Sequence, residues 1–247
     1  MMRGCIHEAE KAPGPVLNQP ADGYRYCLDP FLLADFSAPN VSGRILDMGC
    51  GVGVAGLVVA WLREDVSIIG VEIQERLFEY ARRNVEESGL ADRVELLHGD
   101  FQEISRFIAP GSVSAVISNP PFLSPGACRV SEHTERAIAR NGICGGAEDV
   151  ITSAADMLEP GGKIFLVYPA HRWEELSAWL KDADFKPRRV RFVHPRCESE
   201  SYILLVEAEL YGGERMEISD PLIIYDENDA YTHEVGKLFA KISPQCY

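Results

Sequence analysis

Four consecutive residues combine one side-chain amide, two rigid prolines and one flat aromatic ring: Asn119, Pro120, Pro121 and Phe122. Proline has a fixed φ and no N–H, so the pair stiffens the loop and directs the Pro120 carbonyl outward as an acceptor. The Asn119 side-chain oxygen can accept a hydrogen bond from the same group, and Phe122 can stack on a planar ring. Two acceptors beside a stacking surface predict a pocket for a planar, conjugated amino group.

The chemistry that such a pocket supports is methyl transfer to nitrogen. A conjugated amino group is a poor nucleophile because its lone pair is delocalised, and two acceptors on its hydrogens let positive charge develop on the nitrogen. An electrophilic methyl carbon must then lie in line, roughly 3–3.5 Å away. The methylated nitrogen loses its proton to water, so no dedicated base is required. We predict residues 119–122 as the catalytic group, and a purely structural turn is the alternative.

A glycine-rich segment, residues 47–53 (DMGCGVG), follows a short apolar run. Glycines let the backbone bend tightly and let a ligand approach closely, and the helix that follows presents free N–H groups. Glu72, at the end of the next apolar run, is placed to accept hydrogen bonds from two ribose hydroxyls. The predicted cofactor-binding residues are Asp47, Gly49, Cys50, Gly51, Gly53, Glu72, Ile73, Asp100, Phe101 and Asn119.

The same glycines also fit a dinucleotide fingerprint. Residues 51–56 read GxGxxG, with Glu72 at about the expected distance, so an NAD-dependent dehydrogenase is a rival interpretation. Asp47 suits a ligand ammonium better than a pyrophosphate, whereas Asp100 and Phe101 could bind an adenine amino group and pack beside its ring. Together with the amide and proline pair, these features favour S-adenosylmethionine as the cofactor. Glycines that serve only chain geometry are the structural alternative.

Strand and helix patterns alternate along the chain, which is typical of a doubly wound α/β fold with a mostly parallel sheet. The predicted strands are 44–48, 66–71, 94–97, 113–118, 163–168, 188–194 and 201–207. The predicted helices are 30–36, 54–62, one through Leu77, Ala81 and Val85, 149–158 and one through Trp173, Leu176 and Leu180. The last two strands are close in sequence, which suits an antiparallel pair. The simplest organisation is a single domain over 1–247, with an N-terminal extension (1–20) and an acidic C-terminal extension (209–247).

Composition predicts a cytoplasmic protein. The seven cysteines form no CxxC pair and do not combine with histidines at metal-ligand spacing, which predicts reduced thiols and no metal site. The sequence contains neither a signal peptide nor the roughly 18–20 apolar residues that a membrane helix needs. The net charge of −14 argues against a nucleic-acid partner. However, much of it lies in residues 207–234, whereas residues 186–196 carry five basic residues and no acid.

That basic run is either a phosphate-contacting patch or a solvated strand edge. A second candidate segment, residues 123–147, is long for a loop without structure, which favours a lid or substrate-binding segment over a solvated insertion. The predicted substrate-binding candidates are Tyr24, Arg25, Arg129, Arg136, Arg140, Arg188, Arg189, Arg191 and Arg196.

The motifs together resemble a known group. Class I methyltransferases of the amino-methylating branch share the pattern of residues 47–53, Glu72, Asp100 and 119–122. The bacterial tRNA(valine) adenine-N6 methyltransferase family is similar over nearly the whole chain, including residues 22–26, Asp29, 193–196 and 221–225. This resemblance implies a Rossmann-like, seven-stranded sheet with its last strand antiparallel, and S-adenosylmethionine as cofactor. Phe122 stands where that family often has tyrosine, so stacking is retained but a hydroxyl contact is not.

The first hypothesis is therefore an RNA adenine-N6 methyltransferase, with tRNA as the RNA. A protein glutamine N5-methyltransferase is the main alternative, because a primary amide is also planar and conjugated and an acidic chain suits a protein substrate. A non-catalytic module that binds the cofactor or RNA is a third interpretation, against which the intact motifs count. The dehydrogenase remains the fourth.

Overall fold

A computed structural model describes residues 14–22, 27–122, 145–213 and 215–242. The predicted alternation of strands and helices is confirmed. The strands are β1 Gly43–Met48, β2 Val66–Glu72, β3 Val94–His98, β4 Val113–Ser118, β5 Leu158–Pro169, β6 Phe185–His194, β7 Ile203–Leu210, β8 Glu217–Ile218 and β9 Leu222–Ile223. The helices are α1 Asp29–Ser37, α2 Val54–Leu62, α3 Glu75–Glu87, α4 Ala147–Met157, α5 Trp173–Asp182 and α6 His233–Ile242.

All nine strands belong to one sheet, whose main order is β3-β2-β1-β4-β5-β7-β6-β8. Strands β1 to β5 are parallel, and β7 is antiparallel to both β5 and β6. The seven-stranded core with its last strand antiparallel is thus as predicted. The short strands β8 and β9, which the sequence analysis did not predict, both pair in parallel with β6. The chain order reverses between β1 and β4, and ligands of open α/β sheets bind at such a switch point.

Apolar side chains cover both faces of the central strands, as expected for parallel strands between two helical layers. In β1, Ile45 packs into the layer that contains α1, α2, α3 and α6. Leu46, the next residue, packs into the layer that contains α4 and α5. Because both neighbouring strands and both layers hold β1, the residues that follow its end are well fixed in position.

The C-terminal part of the chain, predicted only as an acidic extension, folds back onto the sheet. Leu222 and Ile224 are buried beside β6, and α6 contributes Val235, Leu238 and Ile242 to the core that contains α1 and α2. Near the start of the described residues, the Val16 N–H donates to the Ser88 hydroxyl at the end of α3 over 2.8 Å. None of the helices in the described ranges is long and apolar enough to cross a membrane.

Candidate active site

The predicted site residues converge at one edge of the sheet. Asp47 of β1 lies opposite Ile117 of β4, and Glu72 of β2 lies opposite His98 of β3. Parallel strands in this register end together, so the loops that follow them are neighbours. The glycine turn, Glu72, the segment after β3 and the amide–proline corner after β4 therefore surround the switch point between β1 and β4.

The glycine turn after β1 requires glycine for its backbone conformation. Gly49, Gly51 and Gly53 have φ values of +69°, +60° and +88°, which side chains with a Cβ rarely adopt. A Cβ placed on Gly49 or Gly51 would meet no atom within 4 Å. The turn thus borders open space, the room that a bound ligand needs.

Asn84 of α3 forms a hydrogen bond with the backbone of the same turn. This fully buried side chain donates from Nδ2 to the carbonyls of Val52 and Asn18, each over 2.9 Å. Its oxygen accepts the N–H of Asn18 over 2.8 Å. The sequence analysis missed this residue, although a polar residue on the apolar face of a predicted helix is the signal that marks it.

Asp47, near the end of β1, is a buried carboxylate with 2% of its surface exposed. Its Oδ2 accepts the Gly56 N–H in the first turn of α2 over 2.9 Å. Burial raises the pKa of Asp47 to about 7 against the lowering effect of that hydrogen bond, and the charge of Glu72 raises it further. A Cβ on Gly56 would lie 2.9 Å from this carboxylate, so glycine is required for the contact.

Glu72 is the second buried carboxylate and it orients the turn. Its Oε2 accepts the Gly51 N–H over 2.9 Å, and its Oε1 accepts the Gln74 N–H over 2.7 Å. Burial raises the pKa of Glu72 above its usual range, although these N–H groups oppose the rise. Glu72 is thus a buried carboxylate whose oxygens face backbone N–H groups of the glycine turn and of the segment after β2.

The thiol of Cys50 is close enough to these two acids to be affected by their charges. Burial raises the pKa of Cys50 well above its usual value, and the charges of Asp47 and Glu72 add to the rise. Cys50 therefore stays a neutral thiol. It packs near Gly70, where a Cβ would approach its sulfur to 3.1 Å.

The segment after β3 forms the next wall. Asp100 caps a short 3₁₀ turn, and its Oδ1 accepts the Gln102 N–H over 2.9 Å. A Cβ on Gly145 would lie 2.5 Å from Phe101 Cζ, so the backbone at Gly145 packs directly on that ring. On the β2 side, the His98 Nε2 lies 3.1 Å from the Ile73 carbonyl oxygen.

The amide–proline corner is tied to the glycine turn by Ser118. This fully buried residue ends β4, and its hydroxyl donates to the Met48 carbonyl at the end of β1 over 2.7 Å. Asn119 follows as a half-buried residue and Pro120 is buried. Ser118 thus fixes Asn119 beside the predicted cofactor residues, a role that the sequence analysis did not assign to it.

Phe122 is 38% exposed and rests edge-on against Tyr168 of β5, with ring centroids 5.9 Å apart at 87°. Residues of α5 and of the turn before it contact Tyr168. The Arg172 guanidinium lies 5.0 Å from the centroid of the Tyr168 ring. The Tyr168 hydroxyl donates a hydrogen bond to Glu175 Oε1 over 3.2 Å. The wall behind the stacking ring is therefore rigid and aromatic.

The predicted basic patch on β6 is not a free patch in the structure, because each arginine has an acidic partner. Arg189 pairs with Glu207 over 3.0 Å and Arg191 with Glu234 over 2.7 Å. Arg188 pairs with Glu209, and Arg196 with Asp229. The basic run is continuous only in sequence, since β7 and the C-terminal segment bring acids against it. Phosphate binding would require these ion pairs to open.

Other predicted substrate residues lie outside the described part of the chain: Tyr24, Arg25, Arg129, Arg136 and Arg140. Most of the predicted lid, residues 123–147, also lies outside it. Within the described ranges, no group of three or more histidine, cysteine or acidic side chains is arranged to hold a metal ion.

Comparison with known proteins identifies the relatives of this chain. Residues 29–183 match the family described as methyltransferase small domain. A tRNA1(Val) (adenine(37)-N6)-methyltransferase of Dyadobacter fermentans is 27% identical over 210 residues, 85% of each chain. A protein of the same name from Vibrio cholerae is 29% identical over 185 residues, 74% of each chain.

Solved structures confirm the fold. A predicted O-methyltransferase from Agrobacterium tumefaciens has a TM-score of 0.69 at 24% identity, over 87% of this chain and 96% of that one. A geranyl diphosphate C-methyltransferase from Streptomyces coelicolor, solved with S-adenosyl-L-homocysteine, has a TM-score of 0.54 at 15% identity, over 72% and 80% of the two chains.

Proposed function

The chain belongs to the methyltransferase small domain family, and from that premise we propose that it methylates the exocyclic amino group of an adenine in tRNA. It is an S-adenosylmethionine-dependent methyltransferase. The observation that carries the proposal is the Ser118–Met48 hydrogen bond, which joins the strand end that leads into Asn119 to the glycine turn. The names of the two curated relatives support adenine 37 of tRNA(Val) as the target. With tRNA as substrate, we propose that the enzyme acts in the cytoplasm.

The residues at the edge of the sheet fit this cofactor. Asp47 supplies a buried negative charge that offsets the ammonium group, and Glu72 is assigned to the ribose hydroxyls. Asp100 and Phe101 are assigned to the adenine amino group and ring. When bound, S-adenosylmethionine supplies an electrophilic methyl carbon.

The chain's own residues then prepare the target nitrogen. Phe122 stacks on the adenine and fixes its plane, with Tyr168 behind it. The Asn119 oxygen and the Pro120 carbonyl accept hydrogen bonds from the amino group, so positive charge on nitrogen is stabilised as it develops. Ser118 holds the backbone that leads into both acceptors, which limits their reorganisation during the reaction. The proton is released to water after transfer.

Cofactor affinity is expected to depend on pH through Asp47. The neutral carboxyl cannot offset an ammonium group, and the pKa of Asp47 is raised to about 7. The dissociation constant for S-adenosylmethionine should therefore rise as pH falls from 7.5 to 5.5, by up to about tenfold per unit below that pKa. The measurement is isothermal titration calorimetry across this range. Asp47→Asn should bind weakly with a flat profile, and an unchanged steep profile in this variant would contradict the assignment.

The proposed substrate is tested with purified protein, methyl-labelled S-adenosylmethionine and an unmodified tRNA(Val) transcript that has adenine at position 37. Digestion and mass spectrometry should find N6-methyladenosine, and a transcript with guanine at position 37 should remain unmethylated. With a cell-protein extract added as a second substrate, label in glutamine and none in the transcript would instead establish the alternative, protein N5-methylation. No transfer to either RNA would contradict the proposal.

A further inference from the structure

We propose that three exposed tyrosines, Tyr202, Tyr225 and Tyr231, form a stacking surface for the unpaired nucleotides that flank the target adenine. This inference rests on the proposed function. The protein carries a net charge of −14, and the arginines of β6 are already paired with acids. Phosphate contacts from that strand are therefore a weak means of holding RNA. Base stacking needs no positive charge and is a second means of holding RNA.

The tyrosine surface lies at the same edge of the sheet as the amide–proline corner. Tyr202 immediately precedes β7, and its carbonyl accepts the N–H of Ala170, directly after β5, over 3.1 Å. Two residues before Ala170 stands Tyr168, which contacts Phe122. Neighbouring strands lie about 4.8 Å apart, so the end of β4 and the start of β7, separated by β5, are about 10 Å apart. The nucleotides next to an extruded base can reach over this separation.

Backbone hydrogen bonds hold the surface in place. Tyr225 N–H donates to the Pro195 carbonyl over 2.9 Å, just beyond the parallel pairing of β6 with β9. Tyr202 N–H donates to the Val193 carbonyl at the end of β6 over 3.0 Å. The Tyr202 hydroxyl lies 3.4 Å from Asp29 Oδ1 at the start of α1. The segments that follow β6 and β9 are thus fastened together at the same edge of the sheet as the site.

Each of the three tyrosine rings is partly exposed to solvent. Tyr202, Tyr225 and Tyr231 are 37%, 37% and 44% exposed. Tyr225 and Tyr231 are already nearly parallel, with centroids 5.4 Å apart at 14°. Tyr231 is backed by Phe239 of α6, with centroids 5.3 Å apart. Aromatic rings held in this way lose little freedom when a base stacks on them.

Local charge favours bases over phosphates as the contacted groups. Asp226 and Asp229 lie in the turn between the stacked tyrosines, and Asp229 pairs with Arg196. An acidic turn repels the phosphate backbone, whereas base stacking is largely independent of charge because every base has an aromatic face. Sequence-specific RNA recognition usually targets single-stranded loops with splayed bases. A loop of tRNA therefore fits this surface better than its helical stems do.

The test compares Tyr225→Leu and Tyr202→Leu with Tyr225→Phe and Tyr202→Phe, with the unmodified tRNA(Val) transcript as substrate. Loss of one stacking ring should raise KM for the transcript roughly tenfold. The kcat value and the affinity for S-adenosylmethionine should stay unchanged. The phenylalanine variants should behave like the parent protein, because they retain the ring. The slope of log KM against log salt concentration should not change, since no phosphate contact is removed.

Tyr211→Leu is the matched control, since this tyrosine is 68% exposed but follows β7 at the opposite edge of the sheet. Its KM should equal that of the parent protein. Leucine variants that keep the parent KM, or that lose affinity no more than Tyr211→Leu, would overturn the inference. Equal losses in the leucine and phenylalanine variants would also overturn it. If the parent protein transfers no methyl group to the transcript, the proposed function itself fails, which is a distinguishable result.

Discussion

Replacing Asn119 by alanine is expected to reduce methyl transfer to tRNA by about 10²–10³-fold, the usual loss when one preorganised polar group at a reacting centre is removed. The amide oxygen accepts from the amino group as its nitrogen becomes positive, so its contribution is larger in the transition state than in the ground state. The fall should therefore appear in kcat, measured with saturating tRNA. Affinity for S-adenosylmethionine, measured by calorimetry, should change little because Asp47 and Glu72 remain.

Two further variants separate this role from simple damage to the fold. Asn119→Asp keeps an acceptor oxygen at the same position and should retain more activity than alanine does. Glu159→Ala removes an exposed side chain near the start of β5, at the edge of the sheet opposite the switch point, and should leave kcat unchanged. If Asn119→Ala transfers methyl groups at the parent rate, the proposed mechanism is wrong. A large loss of cofactor affinity would show that Asn119 acts mainly through the cofactor.

The central strands could be predicted because each is specified by its own residues. The segment that became β1 is a short apolar run that ends in glycines, and these fix both the strand and the turn after it. Glu72 and residues 119–122 could be placed at one edge for the same reason, since each directly follows or ends a strand. Local pattern and strand direction together determine this part of the site.

The partners of the β6 arginines could not be predicted, because they depend on pairing between distant segments. Arg191 lies 43 positions from Glu234, and Arg189 lies 18 positions from Glu207. The C-terminal segment looks like a solvated acidic extension, since its acidic residues outnumber its basic ones and its apolar runs, such as 222–225, are short. Its burial depends on β9 pairing with β6, which no local pattern specifies.

Residues that position the site were missed for a related reason. Ser118 and Asn84 are ordinary polar residues in sequence, and only their burial shows that they hold the site backbone. Tyr168 reads as one more apolar residue of β5, yet it supports Phe122. A polar or aromatic residue at a strand end beside a predicted site is the signal worth seeking.

Glu207 is the clearest case of an acid that sequence alone assigns to the surface. It is 4% exposed on β7. Its Oε1 accepts from Lys163 of β5 over 2.8 Å, and its Oε2 accepts from Arg189 of β6 over 3.0 Å. Asn40, just after α1, donates to the same Oε2 over 2.9 Å. One carboxylate thus joins three strands and the end of a helix.

Glu207→Ala is therefore expected to lower the free energy of unfolding by about 3 kcal/mol, because it leaves the charges of Lys163 and Arg189 without their shared partner. The Lys163 and Arg189 side chains are partly exposed, at 31% and 22%. The loss of stability should therefore lie at the low end of the range for broken buried ion pairs. Urea unfolding should show a lower midpoint with an unchanged slope. Glu209→Ala, two residues along β7, removes a more exposed pair with Arg188 and should cost less than about 1 kcal/mol. Equal shifts in the two variants would mean that Glu207 stabilises the sheet no more than a surface ion pair does.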